Sequence, residues 1–348
     1  MRIFSYRNKR TLRRIALIAL LAAVLLGLLI LARISYLGRY VVYSPDGVYF
    51  DKTQKLQRTP QTVPDTSNAE EYPFETILSA ASEETDVDPN AVQLQGFYIS
   101  TTMLANGVDE VRQALADADG YNAVLIDVKS PLGNFYYSTD IADTQTADAD
   151  IDACDALIKE LTETPDLIVI ARVPTFSDPN FVAKHYSSAL MTKSGDLWMD
   201  ERRCYWLRPD SLDARSYLAA IALELDARGF DEVLFDNFTV PDDSSIAWDT
   251  EAITQIAALE DCAETLGANL TGSSIRLALG TTVPSVAQYA SRVYITTEKA
   301  NDVMTMTEAM GEVLPDPATQ LVFVTTSHDT RFDAAGVIRP LMGDDSGD

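Results

Sequence analysis

The sequence predicts an α/β chain, a (β/α)8 TIM-like barrel with a weak or incomplete eighth strand, behind an N-terminal transmembrane helix. Three observations carry that expectation. Short apolar runs alternate with helical segments from about residue 91 to 341, as in a parallel sheet with crossover helices. That stretch is close to the ~250 residues typical of an eightfold barrel. Several of the runs also stop on charged residues, and in barrels the C-terminal strand ends form the functional rim.

The N-terminus comes first. Six basic residues (Arg2, Arg7, Lys9, Arg10, Arg13 and Arg14) precede an uncharged run at 15–32. At about 1.5 Å per residue such a run reaches roughly 27 Å, enough for a thin or average hydrocarbon core. The segment is longer than a signal-peptide core and ends without an Ala-x-Ala site, which favours a retained anchor over 15–35. The basic tail at 1–14 places the N-terminus in the cytoplasm and the rest outside the cell membrane. Residues 40–51 read as a hairpin turning at Pro45-Asp46-Gly47, and the polar, Pro-containing stretch to residue 90 as a spacer. The barrel follows over 91–341, and an acidic tail over 342–348.

Within the barrel, strands are expected at 95–100, 122–128, 167–173, 232–236, 275–280, 292–297 and 320–325, with a weak eighth at 336–341. Helices are expected near 107–118, 151–163, 212–227, 250–266, 284–291, 302–312 and 331–338. Asp148, Asp150 and Asp152 imitate a calcium loop but lack its Gly and closing Glu. They fit better in the first turn of the helix at 151, where negative charge is favourable.

Charge narrows the partners. Of the 27 Lys and Arg, eight lie in the first forty residues, which hold no acidic residue, so the other 19 face all 52 Asp and Glu. The exported part therefore carries about −33. That argues against nucleic acid and anionic polymers, which need basic surface, and leaves neutral glycans compatible. Three scattered cysteines (Cys154, Cys204, Cys262) make no metal motif, and their odd number leaves a thiol over if two pair. With two histidines, His185 and His328, a zinc site or Ser-His-Asp triad has little material. Nothing in the motifs calls for a cofactor or metal.

Asp236 ends the run VLF at 233–235, and Asp127, Lys129 and Arg172 close two others. Alternation puts Asp127 and Lys129 on one face. The plain alternative is an ion-pair cluster without a substrate. Between the third strand and the helix at 212 run about forty residues, far beyond the two to six usual for such a connection. They hold Trp198, Tyr205 and Trp206, while Trp248 follows Asp236. Such rings offer platforms for sugars, or else a small core packing the loop on itself.

These segments resemble a bacterial family described as putative glycoside hydrolases. The matching motifs are NAVLIDVKSPLG (122–133), IARVPTFSDP (170–179), GDLW (195–198) and GFDEVLFDNFTVP (229–241), within a likeness over 95–241. The resemblance implies a barrel and a glycan-cleaving activity, with Asp127, Lys129, Arg172 and Asp236 at the family's polar strand ends. Asn237 and Thr239 stand where the family has Tyr and Arg, and the strand at 277–280, LALG, ends without the family's carboxylate. FVTTSHD (323–329) resembles a segment of the α-amylase superfamily and sets His328 and Asp329 behind a strand.

Cleavage of a glycosidic bond needs two carboxyls. Asp236 is the first expected, as nucleophile or base, with Asp127, Glu298 or Asp329 as partner, Arg172 and Lys129 as charge partners, and Asn237 among the substrate contacts. The expected function is a membrane-anchored hydrolase of cell-envelope or extracellular polysaccharide. The alternative is a non-catalytic barrel that binds glycan or an envelope protein.

Overall fold

The computed structural model describes residues 41–44, 47–50 and 92–342. The expected anchor at 15–35, the spacer and the tail beyond Met342 lie outside the described residues. Among the described residues, no helix is long and apolar enough to cross a membrane. The hairpin forms as expected, Val41–Ser44 pairing antiparallel with Gly47–Phe50. It belongs to a different unit from the barrel, the chain dividing between Ser82 and Glu83.

Eight parallel strands close into a barrel in sequence order: β1 (Gln95–Ile99), β2 (Ala123–Asp127), β3 (Ile168–Pro174), β4 (Glu232–Asp236), β5 (Arg276–Leu279), β6 (Arg292–Thr296), β7 (Leu321–Val324) and β8 (Gly336–Pro340). The doubtful eighth strand is present and pairs on both sides, with β7 and with β1. The helix expected at 331–338 is instead a 3-10 turn, Thr330–Ala334, that feeds it. The run GVIR is too short for a helix, and its pairing between two strands decides the outcome.

The helices are α1 (Thr101–Asn106), α2 (Val108–Asp117), α3 (Ile151–Thr162), α4 (Pro179–Val182), α5 (Leu212–Ala227), α6 (Gln255–Asn269), α7 (Pro284–Ala287), α8 (Asn301–Met310) and α9 (Pro317–Gln320). Their starts are written in side chains: Ser100, Asp150, Ser211 and Thr254 each accept a bond from the amide three residues on. Asp150 therefore caps α3 and Asp152 lies in its first turn, as the sequence suggested.

Strand periodicity sorts the barrel into layers. The residues Val124, Ile126, Val169, Ala171, Val233, Phe235, Leu277 and Leu279 pack in the main core with the helices. Their neighbours Leu125, Ile170, Leu234, Ala278, Tyr294, Val322 and Ile338 form a separate cluster that fills the barrel. Two residues below this filling, the same parity brings Glu232, Arg276 and Arg292 together. Glu232 is fully buried, paired with both arginines and with the Tyr294 hydroxyl at 3.0 Å. Glu232, at the start of β4, therefore has a structural place at the bottom of the barrel. Two residues above the filling, the same parity delivers Asp127, Arg172 and Asp236.

Candidate active site

Register sets these three side by side. Asp127 lies opposite Arg172 across β2 and β3, and Pro174 opposite Asp236 across β3 and β4. Arg172 donates to Oδ2 of Asp236 from Nε at 2.9 Å and from Nη2 at 2.6 Å. Its Nη1 donates to the Tyr98 hydroxyl at 2.9 Å and approaches Asp127 Oδ1 at 3.5 Å. Tyr98 in turn donates a short hydrogen bond to Asp127 Oδ2. One rigid guanidinium fork thus spans two carboxylates and fixes one relative to the other.

The backbone around Asp236 is shaped for this. Thr175 donates to the Asp236 carbonyl from its amide at 3.0 Å and its hydroxyl at 2.7 Å. The next residue, Asn237, turns left-handed at φ 54°, a conformation asparagine tolerates better than most. Its successor Phe238 donates to the Gly280 carbonyl at 2.8 Å. A Cβ on Gly280 would lie 2.5 Å from Asp236 Oδ1 and 3.0 Å from the Asn237 amide. The missing carboxylate at the end of LALG is therefore a space that Asp236 uses.

Burial pushes the Asp127 carboxyl up to about 6, and the nearby Asp236 charge adds to this against the pull of Arg172 and Tyr98. Burial and the Asp127 charge likewise raise the Tyr98 hydroxyl, so it stays protonated and donates. Burial works against the Arg172 charge, yet Asp236 and Asp127 together hold the guanidinium above its ordinary value.

Two cavities open over the trio. One, of about 230 Å³, runs from Tyr98 and Asp127 beneath Trp206 and Asp200 of the long loop. The other, of about 370 Å³, lies over β4 to β6 and is lined by Gly280, Thr281, Thr282 and Thr296. Both reach Arg172, Asp236, Asn237 and Arg202.

The other expected residues have different partners. Lys129 borders the smaller cavity with Asp127 but pairs with another carboxylate: it is fully buried, with Nζ 3.0 Å from Asp178, and donates to the Ser177 carbonyl at 3.2 Å. It lies two residues past Asp127, where the chain has left the strand and alternation no longer places side chains. Glu298 binds the Thr325 and Thr326 hydroxyls, joining the loops that follow β6 and β7. Burial opposes its charge, but these bonds hold its carboxyl below the usual range. Asp329 caps the turn before β8 and is held at about 2 by hydrogen bonds with Arg331. Neither Glu298 nor Asp329 lines the two mouth cavities, nor does His328.

The aromatic residues divide. Trp198 and Trp206 are both buried and meet edge to face at 5.7 Å, their indole N–H groups given to Asp243 and Asp200. Trp206 alone of the expected platforms lines a mouth cavity; Trp198, Tyr205 and Trp248 line neither. Trp248 gives its N–H to the Ile253 carbonyl and lies under Arg208. The long loop is thus a folded cap, pinned to itself by the bridges Met191–Leu197 and Met199–Tyr205. All three cysteines are buried and unbridged, so the pairing left open by the sequence does not form. Among the described residues no cluster of His, Cys, Asp and Glu is fit to hold a metal ion.

Sequence reasoning missed Tyr98, Arg202 and Asp178. Tyr98 has the inward parity of β1 and a detectable signal; Arg202 sits in an irregular loop that periodicity cannot orient.

A family model described as "Putative glycosyl hydrolase domain" matches residues 96–310. The chain belongs to this family. The matched span runs from β1 through α8 and contains Tyr98, Asp127, Arg172, Arg202, Asp236 and Gly280. Similar solved structures include a hypothetical protein from Ruminiclostridium thermocellum, at 24% identity over 52% of this chain and 96% of that one, with a TM-score of 0.45. Ega3 of Aspergillus fumigatus, solved with galactosamine, is 12% identical over 72% and 93% of the two chains, at a TM-score of 0.44. The α-galactosidase of Lactobacillus brevis is 11% identical over 72% of this chain and 38% of that one, at a TM-score of 0.49. No curated protein matches the sequence.

Proposed function

We propose that the barrel is a glycoside hydrolase in which Asp127 is the general acid and Asp236 the nucleophile or base. The observation that supports this best is the pair of carboxylates held in different environments by one guanidinium. A carboxyl raised to about 6 keeps its proton in mildly acidic solution and part of it at neutrality, which suits an acid delivering it to the leaving glycosidic oxygen. Asp236 has Oδ2 fixed by Arg172, while Oδ1 has no hydrogen-bond partner among the described residues. Oδ1 then either attacks the anomeric carbon or takes a proton from the water that does. The spacing set by Arg172 is compatible with the roughly 5–9.5 Å that such pairs span.

The substrate class of this reading is carbohydrate, in the cell envelope or outside the cell. The basic tail and the uncharged run at 15–32 support a membrane-anchored enzyme with the barrel outside. The test is a hydrolysis screen of envelope and extracellular glycans with the full chain, beside Asp236→Asn and Asp127→Asn. Cleavage that falls by two to four orders of magnitude in both variants supports the assignment. Glycan binding without cleavage in the unaltered protein would leave a binding barrel in its place.

A further inference from the structure

The two cavities differ in charge. The smaller meets three carboxylates, Asp127, Asp200 and Asp236, and three cations, Lys129, Arg172 and Arg202, so its charges balance. The larger meets one carboxylate, Asp236, and two guanidinium groups, Arg172 and Arg202. Arg172 already spends Nε and Nη2 on Asp236, so that pair is close to neutral. Arg202 is exposed, and although its carbonyl accepts from Cys204 Sγ at 3.8 Å, its guanidinium has no hydrogen bond, ion pair or ring contact among the described residues. Its guanidinium is therefore open to a ligand at the mouth of a chain whose net charge is −25.

Hydroxyl groups around the same cavity are uncommitted as well. Thr281 accepts from the Val283 amide at 3.2 Å and its own proton is not donated to any described residue. The Thr282 and Thr296 side chains have no hydrogen-bond partner among the described residues. Free hydroxyl donors and a free guanidinium on one concave surface suit an anionic oxygen group. Arg offers such a group a planar fork of N–H donors, and charge-assisted bonds of this kind are about twice as strong as neutral ones.

We infer that the larger cavity is a subsite for a sugar unit bearing one anionic substituent, a carboxylate or a sulfate or phosphate ester, read by Arg202. The inference rests on the carbohydrate reading of the site and refines its substrate class. It also modifies the expectation of neutral glycans drawn from net charge. The repulsion of an acidic chain is screened beyond about 8 Å at physiological salt, whereas contact with Arg202 is local. A sparsely charged glycan fits both facts better than a polyanion.

The test is binding to the full chain, read by isothermal titration. The probes are glucuronate and galacturonate, glucose 6-sulfate and glucose 6-phosphate, and neutral glucose and galactose. At least one anionic class should bind about tenfold more tightly than the matching neutral sugar, and the pattern across the arms identifies the substituent. Arg202→Gln, checked for an unchanged melting temperature, should abolish that preference, and so should high salt. Equal binding of neutral and anionic sugars overturns the inference, as does a preference that survives Arg202→Gln, or no binding of any probe. The hydrolysis screen separates this from the enzyme reading. Efficient cleavage of a neutral glycan, insensitive to Arg202→Gln, removes the anionic subsite and keeps the hydrolase. Binding dependent on Arg202 without any cleavage does the reverse.

Discussion

Arg172 places two N–H groups on a single oxygen of Asp236, 2.9 Å from Nε and 2.6 Å from Nη2. The two oxygens of that carboxylate are thereby made unequal. Oδ2 is an anchor, and Oδ1 is turned toward Gly280 at the cavity wall. The remaining nitrogen of the fork serves Tyr98 and Asp127, so one side chain fixes the orientation of both acids.

That division of labour predicts an asymmetric result for Arg172→Lys. The charge is kept, but an ammonium on a flexible stem cannot bond Asp236 twice and reach Tyr98 as well. Hydrolysis should fall at least a hundredfold, since misplacing a reacting group by about 1 Å costs that much. Stability should fall by only about 1–2 kcal/mol, because the ion pair survives in weakened form. Near-normal activity with a lowered melting temperature would show that Arg172 serves the fold alone.

Gly280 offers a sharper test of the same geometry. In Gly280→Ala the new methyl lies 2.5 Å from Asp236 Oδ1 and 3.0 Å from both the Asp236 Cα and the Asn237 amide. The Oδ1 contact can be relieved by turning the side chain, but the backbone contacts cannot. The strand end must shift, at a cost of about 1–3 kcal/mol. Activity should be lost well before the fold, visible as a soluble protein with reduced denaturant midpoint and no cleavage. Wild-type cleavage in Gly280→Ala would show that Oδ1 is not the reacting atom.

How far the sequence could be read follows from these particulars. Period-two alternation is a backbone property, so it located β1 to β7 and put Asp127, Arg172 and Asp236 at one mouth. It failed where the backbone stops being a strand. Lys129 is two residues past Asp127 in sequence, yet its amine turns away to Asp178, a residue of the long loop. Arg202 comes over the mouth from that loop, whose fold is set by bridges between distant residues such as Ser177 and Trp206. For the tryptophans the alternative of a small core packing the loop on itself has a related cause. A loop of about forty residues must bury apolar surface of its own, and Trp198 and Trp206 supply it. Strand β8 was faint because GVIRP is flanked by a turn rather than by a long helix.

The pH dependence tests the assignment of Asp127 as the acid. Its carboxyl in the fold is raised from 3.8 to about 6, so below pH 4 the proton is bound in both folded and unfolded chains. Between about 4 and 6 the unfolded chain ionises more readily, and this site's favourable contribution to stability is lost as pH rises through that window. Cleavage has the same sign, because a general acid must hold its proton. The alkaline limb of kcat/KM should therefore descend near pH 6. Tyr98→Phe removes the hydroxyl that donates to the ionised carboxylate. Without that bond the charged form is less favoured, so the limb should move to higher pH while the barrel stays folded. The Asp127 carboxyl carbon, followed by NMR in protein labelled at aspartate, should report the same upward movement without any substrate. A limb and a titration both unmoved by Tyr98→Phe would reassign that hydroxyl to holding Arg172, its other partner at 2.9 Å.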